Sequence, residues 1–261
     1  MSKLLTIEGL ESGFNTDGGL VRAVDGVSFE LEKGQTLGIV GESGCGKTVS
    51  AMSIVDLLPK PAGRVLGGSI SFKGQELRDA DPEVMYKTRG NEIGVIFQEP
   101  MTALNPVQRV GKQITEALLL HKDISKREAL QHAVELLDAV GIPSPERRIS
   151  DHPHELSGGM RQRVMIAIAL CCDPDLLIAD EPTTALDVTT QIEVLKAFKT
   201  VIRNSGSAAI YVTHDLSVVA QIADHIVVLY SGDIQEHGTA DQVVNHATHT
   251  YTRRLMDAVR P

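Results

Sequence analysis

The sequence lacks several features that mark secreted, membrane-spanning and zinc-binding proteins. It contains only three cysteines, namely Cys45 and the adjacent pair Cys171 and Cys172. Because adjacent cysteines make a poor structural disulfide and the spacing matches no zinc site, this cysteine usage predicts a protein of the reducing cytosol. The longest apolar run, residues 164–172, is interrupted by Asp173 before it reaches the length of a transmembrane helix.

An excess of positive charge and a signal peptide are also missing. The 261 residues include 25 Lys and Arg against 34 Asp and Glu, which gives a net charge of −9 at pH 7. This acidic balance argues against a general nucleic-acid-binding protein, whose surface is normally basic. The first residues combine one Lys and a Leu pair with Glu8 and Glu11, which is not the pattern of a secretory signal. The length suits one α/β domain, with or without a small inserted subdomain.

Short apolar runs alternate with stretches of helical periodicity, and this alternation predicts a largely parallel sheet. The strands are predicted at residues 37–40, 93–97, 176–179, 209–213 and 226–230. Four of these runs are followed by a glycine or a polar residue, namely Gly41, Gln98, Asp180 and His214. Because ligands of open α/β sheets bind beyond the carboxyl ends of the strands, we expect these four residues to converge at a site.

The middle of the chain is predicted to be helical. Ser125 and Glu128 form a capping-box pattern, residues at helical spacing follow, and Gly141 ends the helix. A second helix is predicted to begin near Ser157. We interpret residues 100–163 as a helical insertion into the α/β core, and the alternative is that these are ordinary crossover helices of one sheet.

One segment matches the phosphate-binding P-loop pattern G-x-x-x-x-G-K-[ST]. It consists of Gly41, Glu42, Ser43, Gly44, Cys45, Gly46, Lys47 and Thr48. A predicted strand precedes it and a helix, predicted at residues 49–58, follows it, which disfavours a glycine-rich turn that matches by chance. Backbone amides of such a loop and the helix N-terminus bind phosphate oxygens. With Lys47 at the β- and γ-phosphates and Thr48 on Mg²⁺, the pattern predicts a nucleoside triphosphate site.

A predicted buried strand ends in two carboxylates, which are candidates for binding a metal ion and for accepting a proton at this site. Asp180 is placed to hold Mg²⁺, directly or through water. Glu181, one residue further on, is a candidate base that accepts a proton from the water attacking the γ-phosphate. An acidic pair at a strand end is often simply solvated, and the functional interpretation is favoured here because a P-loop accompanies it.

A third segment, Leu-Ser-Gly-Gly-Met at residues 156–160, begins a predicted helix with small residues. Ser157, Gly158 and Gly159 leave backbone amides open to an anion. The string alone fits an ordinary serine N-cap followed by a flexible turn equally well.

The order of these motifs resembles that of the nucleotide-binding subunits of ATP-binding cassette (ABC) transporters. The P-loop, Gln98, the Leu-Ser-Gly-Gly-Met string, the Leu-Leu-Ile-Ala-Asp-Glu-Pro string and the Thr-Ala-Leu-Asp string at residues 184–187 follow the family's order over essentially the whole chain. The resemblance implies one ABC ATPase domain over residues 1–261, of the α/β P-loop NTPase class. Its parts would be a RecA-like core, a small antiparallel β subdomain and the inserted helical subdomain at residues 100–163. ATP and Mg²⁺ are the implied substrate and cofactor.

The resemblance also carries roles onto individual residues. Gln98 resembles the Q-loop glutamine, which contacts Mg²⁺ and the attacking water and links to the membrane subunits. His214 resembles the switch histidine at the γ-phosphate. The Ser-Gly-Gly string and Asp187 resemble the signature motif and the D-loop of a dimer interface, although Asp187 alone would be read as a helix N-cap. Phe14 lies where the family places an aromatic ring against adenine, and a core phenylalanine is the alternative.

Three local strings resemble the dipeptide, oligopeptide and nickel importer branch of the family. They lie at residues 97–106, 178–188 and 249–253, the last reading His-Thr-Tyr-Thr-Arg. Thr250 replaces the proline that is usual before this tyrosine, a feature of shorter, nickel-type subunits. No cysteines follow residue 253, where many peptide-importer subunits carry a cysteine-bearing extension, so no iron–sulfur cluster is expected. The solute is left open between peptides, nickel and a related small solute.

The resemblance finally implies partners and a location. The partners would be a second ATPase subunit (the same or a paralogue), two transmembrane permeases and an extracytoplasmic solute-binding protein. The chain would lie at the cytoplasmic face of the inner membrane. One alternative is an accessory ATPase of a soluble enzyme complex of the phosphonate-degrading type. Another is a soluble ABC protein acting on DNA or ribosomes, which the single cassette and the lack of a basic patch disfavour, so no nucleic-acid partner is expected.

Overall fold

Two compact units make up the described part of the chain. The structure, a computed structural model, describes residues 3–184 and 186–257, except for the side chain of Met101. The first unit comprises residues 3–86 and 208–257, and the second comprises Lys87–Ser207.

The described residues contain both strands and helices. In chain order the strands are β1 (Lys3–Thr16), β2 (Gly19–Glu32), β3 (Thr36–Val40), β4 (Gly63–Phe72), β5 (Gln75–Glu76), β6 (Ile93–Ile96), β7 (Leu176–Asp180), β8 (Ala208–Thr213), β9 (His225–Tyr230) and β10 (Asp233–Thr239). The helices are α1 (Lys47–Ile54), α2 (Pro82–Thr88), α3 (Pro100–Ala103), α4 (Val110–His121), α5 (Lys126–Ala139), α6 (Pro145–Arg148), α7 (Gly158–Leu170), α8 (Val188–Ser205), α9 (Leu216–Ile222), α10 (Ala240–Asn245) and α11 (Thr250–Asp257). A short 3₁₀ helix, Pro153–Glu155, precedes α7.

An antiparallel sheet in the first unit has the strand order β2–β1–β4–β5. Leu5, Ile7 and Leu10 of β1 are buried, and the register shifts between Ile7 and Leu10, where Gly9 has a φ of +57°. The first four residues of β2 are exposed. Because such strands do not form a continuous apolar run, the apolar-run criterion does not predict this sheet, and only the family resemblance implies it.

The predicted parallel strands are confirmed. In the first unit, β3 pairs in parallel with β8 and with β9, and β10 pairs antiparallel with β9. In the second unit, β6 pairs in parallel with β7, with Ile96 opposite Ala179. All five predicted strands agree with the observed ones to within one residue at each end. The predicted and observed bounds agree because a strand that is buried on both faces consists of consecutive apolar residues, which are visible in the sequence.

The helix after the P-loop begins earlier and is shorter than the sequence predicts. The prediction covers residues 49–58, whereas α1 begins at Lys47 and ends at Ile54, so the predicted bounds are wrong at both ends. Gly46, with a φ of +103°, directly precedes α1, so the loop leads into the helix without further turn residues. The helix stops because the chain turns at Asp56, which adopts a left-handed φ of +48°.

The described residues between β6 and β7 form helices and no strand. The capping box of α5 is confirmed: the Glu128 amide donates to Ser125 Oγ (3.3 Å) and the Ser125 amide donates to Glu128 Oε2 (2.8 Å). Ala129, Ala133 and Leu137 form the buried face of this helix. The interpretation of residues 100–163 as an inserted subdomain stays a prediction.

The longest of the described helices, α8, is amphipathic. Val194, Leu195, Phe198 and Ile202 are buried on one face, and charged side chains such as Lys196 are exposed on the other. Within the described parts of the chain, no helix is both long enough and apolar enough to cross a membrane.

Gly94 of β6 marks a close approach between a strand and a helix in the second unit. A Cβ atom at this position would lie 2.1 Å from the carbonyl oxygen of Ala169 in α7. Because backbone cannot move aside easily, we expect Gly94→Ala to lower the free energy of unfolding by roughly 1–3 kcal/mol in urea denaturation. The control is Gly18→Ala at an exposed turn, where the nearest atom to the added Cβ would be Thr16 Oγ1 at 3.8 Å. Equal stability of the two variants would contradict this packing.

Candidate nucleotide site

The P-loop pattern forms the turn between β3 and α1 in the first unit. At Gly41, whose φ is +156°, a Cβ atom would lie 2.2 Å from the carbonyl oxygen of Leu229. At Gly46, whose φ is +103°, a Cβ atom would lie 2.4 Å from the carbonyl oxygen of Ala23. Both positions therefore require glycine for space as well as for conformation. This close packing fixes the path of the loop that carries the candidate phosphate-binding amides.

Lys47 is almost fully buried at the start of α1, with 4% of its surface exposed. Its ammonium donates hydrogen bonds to the carbonyl oxygens of Gly41 (2.9 Å) and Glu42 (3.0 Å) in the same loop. The side chain therefore folds back over the loop, and its positive charge lies within the turn of backbone. A cation held beside backbone amides at a helix N-terminus is suited to a phosphate group.

Cys45 lies on the buried side of this loop, whereas Ser43, Gly44 and Thr48 are exposed. The Cys45 amide donates to the carbonyl of Glu42 (3.2 Å). Burial raises the pKa of the Cys45 thiol, so the thiol is neutral near neutral pH. The loop thus presents its backbone and hydroxyl groups to solvent while the thiol fills space beneath it.

His214 comes directly after β8, which pairs in parallel with β3 so that Thr213 lies opposite Val40. His214 and the first residue of the P-loop therefore follow paired residues at one edge of the first unit's parallel strands. The His214 side chain is exposed. The next residue, Asp215, fixes the chain here: its amide donates to Thr213 Oγ1 (3.1 Å), and its carboxylate caps α9 at the Ser217 amide (2.8 Å).

Phe14 lies on β1 in the antiparallel sheet of the first unit. It is opposite Val21 of β2 and Gly63 of β4. Its side chain is half-buried, and a Cβ atom at Gly63 would lie 2.9 Å from the Cε1 atom of the ring. Gly63 therefore leaves room for the ring against the sheet, and a role toward adenine stays a prediction.

The carboxyl ends of β6 and β7 bring Gln98 and Glu181 together in the second unit. Ile96 pairs with Ala179, and the Gln98 amide nitrogen donates to Glu181 Oε2 at 3.4 Å. The same oxygen accepts a shorter hydrogen bond from the Thr184 hydroxyl (2.9 Å). No role for Thr184 is predicted from the sequence, in which it is the first residue of the Thr-Ala-Leu-Asp string. A hydroxyl three residues after a carboxylate is the local signal that identifies it.

Asp180 and Glu181 are both buried at this strand end, with 4% and 9% of their surfaces exposed. Glu181 has a φ of +43°, a conformation that non-glycine residues rarely adopt. The surrounding structure must stabilise this backbone, and such positions are concentrated at functional sites.

The N-termini of α7 and α8 meet in the second unit. Ser157 is the N-cap of α7, and its Oγ accepts from the Met160 amide (3.3 Å). Asp187 is the N-cap of α8, as its sequence position predicts, and it accepts from the amide (3.0 Å) and the hydroxyl (2.7 Å) of Thr190. A Cβ atom at Gly159 would lie 2.2 Å from Thr190 Cγ2. Thr190, which the sequence does not single out, therefore joins the Ser-Gly-Gly string to Asp187.

The candidate Mg²⁺ ligands are Thr48, Gln98 and Asp180, and their donor atoms can be compared with those that Mg²⁺ prefers. Their hydroxyl, amide and carboxylate groups carry the oxygen ligands that Mg²⁺ prefers, and this ion usually keeps several waters and binds through one or two carboxylates and substrate phosphates. Among residues 3–184 and 186–257, no group of three or more His, Cys, Asp and Glu side chains is arranged to hold a metal ion. A site with one carboxylate does not require such a group, so the donor set fits Mg²⁺.

Comparisons with known proteins identify the family. A family profile described as ABC transporter matches residues 24–184, more than half of the chain, and this stretch includes the P-loop, Gln98, the Ser-Gly-Gly string and Asp180. This chain belongs to the ABC transporter family. It is an ABC ATPase, as the order of its motifs predicts.

Two curated relatives of this ABC ATPase come from Bacillus subtilis (strain 168). The Oligopeptide transport ATP-binding protein OppD is 51% identical over 256 residues, which cover 98% of this chain and 72% of the relative. The Dipeptide transport ATP-binding protein DppD is 50% identical over 259 residues, which cover 99% of this chain and 77% of the relative. The resemblance to the peptide-importer branch is therefore confirmed.

A solved structure confirms the predicted fold class of this ABC ATPase. The ATP-binding cassette MJ0796, determined as a dimer in a post-hydrolysis state bound to ADP and Pi, matches with a TM-score of 0.80 and 25% sequence identity. The match covers 90% of this chain and 98% of that chain. The α/β ABC ATPase fold, with an antiparallel sheet and parallel strands, is thereby established.

Thr190 holds the Asp187 carboxylate in its helix cap. Hydrogen bonds from the Thr190 amide and hydroxyl hold the pKa of Asp187 below its ordinary value. Thr190→Val keeps the amide and removes the hydroxyl, so we expect the Asp187 pKa to rise toward its ordinary value in a ¹³C NMR titration. The folded state favours the charged carboxylate of Asp187 over the protonated acid. The stabilisation by this cap is therefore fully present above the ordinary pKa of an aspartate, and it is lost as the pH falls through the lowered pKa of Asp187.

The matched control for this titration is Thr189→Val, which removes an exposed hydroxyl one residue away. The pKa of Asp187 should be unchanged in this control. An unchanged Asp187 pKa in Thr190→Val, or an equal rise in both variants, would contradict the hydroxyl contact.

Proposed function

We propose that this chain is the ATP-hydrolysing subunit of an importer that takes up dipeptides or oligopeptides. The observation that carries the proposal is the Lys47 ammonium held inside the P-loop, because a fixed cation in such a loop is suited to a polyphosphate. The solute class rests on two relatives named for oligopeptide and dipeptide transport, at 51% and 50% identity over nearly the whole chain.

The phosphates of ATP bind along the P-loop in this proposal. Backbone amides within residues 41–48 bind the β- and γ-phosphates, and Lys47 adds a point charge. Thr48, Gln98 and Asp180 supply oxygen ligands to Mg²⁺, which, when bound, neutralises charge on the phosphates. The exposure of the Thr48 side chain and the oxygen chemistry of all three residues support this assignment.

Glu181 is the proposed general base of hydrolysis. Its carboxylate accepts a proton from water, the water oxygen attacks the γ-phosphorus, and the bond from this phosphorus to the ADP oxygen breaks. Thr184 and Gln98 orient the carboxylate through their hydrogen bonds to Oε2. His214 contacts the γ-phosphate, and its position after a strand paired with β3 supports this role. Phe14 contacts adenine through its half-buried ring.

A second ATPase subunit, the same or a paralogue, completes the site. Ser157, Gly158, Gly159 and Asp187 contact ATP held by that subunit. The common contact of Gly159 and Asp187 with Thr190 supports this assignment, because it joins two helix N-termini into one surface. ATP then connects the two subunits, and hydrolysis separates them, so nucleotide binding acts as a conformational switch.

This switch drives import through partners outside the chain. They are two transmembrane permeases, contacted through Gln98 and an inserted helical subdomain at residues 100–163, and an extracytoplasmic solute-binding protein. The chain accordingly works at the cytoplasmic face of the inner membrane. The relatives' names favour peptides over nickel and over an accessory role in a soluble phosphonate-degrading complex.

Glu181→Gln removes the proposed base and keeps the shape of the side chain. We expect this variant to bind Mg-ATP with unchanged affinity and to hydrolyse it at least about 100-fold more slowly, because proton transfer to a general base contributes a factor of this order. ATP-bound dimers should therefore accumulate, which light scattering measures. Glu135→Gln, at an exposed position of α5, should behave as the wild type. Hydrolysis at the wild-type rate by Glu181→Gln would mean that another group is the base.

Uptake assays in a strain that lacks this chain test two points together, namely whether the nucleotide site drives uptake and which solute is taken up. Lys47→Ala removes the proposed phosphate-binding charge, whereas Lys60→Ala removes an exposed lysine paired with Asp56. We expect the wild type and Lys60→Ala to restore uptake of a labelled dipeptide, and Lys47→Ala not to restore it. Restoration of nickel uptake alone would contradict the peptide assignment. Full dipeptide uptake with Lys47→Ala would contradict the phosphate site itself.

A further inference from the structure

The His-Thr-Tyr-Thr-Arg string at residues 249–253 forms the loop end and first turns of α11. Thr252 is fully buried and Met256 nearly so, which fixes one face of α11 within the first unit. The opposite pattern holds for Arg253 and Arg254, whose side chains are exposed. Tyr251, between these faces, is half-buried, and its hydroxyl lies at the P-loop.

Tyr251 contacts the P-loop at Glu42. Its hydroxyl oxygen accepts a hydrogen bond from the Glu42 amide (3.1 Å), although the two residues are 209 positions apart. The Glu42 carbonyl is engaged as well, since it accepts from Lys47 Nζ (3.0 Å) and from the Cys45 amide (3.2 Å). Residue 42 is therefore held through both its amide and its carbonyl. That carbonyl is one of the oxygens that position the Lys47 ammonium.

The segment that presents this tyrosine is itself well fixed. The Glu236 carboxylate of β10 accepts hydrogen bonds from the Thr248 amide (2.6 Å), the Thr248 hydroxyl (2.8 Å) and the His249 amide (3.2 Å). The Arg253 guanidinium donates to the carbonyl oxygens of Ala247 (3.0 Å) and Thr248 (2.8 Å). Because these contacts restrain the start of α11, the tyrosine acts on the P-loop from a rigid support.

The ring and the hydroxyl of Tyr251 make separate contacts. The ring packs against Tyr230, with a centroid distance of 4.6 Å, and the hydroxyl alone reaches Glu42. Partial burial raises the pKa of the Tyr251 phenol, so the group is neutral near neutral pH. Removal of the hydroxyl should therefore release Glu42 while the ring contact remains.

We propose that Tyr251 is a positioning residue for the P-loop, which keeps the Lys47 ammonium ready for the β- and γ-phosphates by holding the Glu42 amide. This inference rests on the proposed nucleotide site. A loop that is held before binding loses less conformational freedom when the phosphates arrive. Once ATP is bound, its phosphates hold Lys47 directly, so the tyrosine contributes to affinity more than to turnover.

Tyr251→Phe in the full chain tests the proposal, because it removes one oxygen atom. We expect the Kd and the KM for Mg-ATP to rise about three- to tenfold, which is the factor that one hydrogen bond is worth, while kcat changes less than about twofold. Competition against a fluorescent nucleotide should show the same loss for ADP and no loss for AMP, because Lys47 reaches only the outer phosphates.

Tyr230→Phe is the matched control. It removes the hydroxyl of the exposed neighbouring residue and keeps the contact between the two rings, and its nucleotide affinities should equal those of the wild type. An unchanged Kd for Mg-ATP in Tyr251→Phe would overturn the proposal. An equal loss for AMP would also overturn it, because it would indicate a general disturbance of the site.

Lys47→Ala in the same assay separates this inference from the proposed function. A loss of Mg-ATP affinity in Lys47→Ala without any loss in Tyr251→Phe would overturn only the role of the tyrosine. Wild-type affinity in Lys47→Ala would overturn the nucleotide site, and the role of Tyr251 with it.

Discussion

The position of the Lys47 ammonium is the constraint on which the nucleotide site depends. A charge that is 4% exposed is tolerated only with polar partners, and the loop provides the carbonyl oxygens of Gly41 and Glu42. Glycines at positions 41 and 46 make this path possible, because neighbouring carbonyls approach too closely for any side chain. The loop and its lysine therefore form one packed arrangement in which a change at either part displaces the charge.

In the second unit, neutral hydroxyl groups organise the acidic residues. Thr184 donates to Glu181, and Thr190 donates to Asp187 while it packs against Gly159. A hydroxyl donor fixes the orientation of a carboxylate without adding the charge that a lysine or an arginine would bring. The two threonines therefore set the direction in which the Glu181 and Asp187 carboxylates point.

Much of the fold, and the position of the candidate site residues at strand and helix ends, could be predicted from the sequence, because the signals are local. Buried parallel strands appear as apolar runs, and the caps at Ser125 and Asp187 follow from residues within one turn. The antiparallel sheet follows only from the family resemblance, because half-exposed strands have no such local signal. The bounds of α1 escape prediction, because a helix that starts inside a glycine loop has no such signal either. The contacts of Thr190 with Gly159 and of Tyr251 with Glu42 join residues far apart in the chain, so only the folded structure reveals them.

Calorimetric titration of the folded wild-type chain with Mg-ATP shows whether the Lys47 loop holds a triphosphate. We expect saturable binding of one nucleotide per chain, competition by ADP, and a loss of affinity when a chelator removes Mg²⁺. Circular dichroism on the same sample establishes that the protein is folded. The absence of any saturable heat from such a sample would mean that the Lys47 loop holds no triphosphate and that the nucleotide site is assigned wrongly.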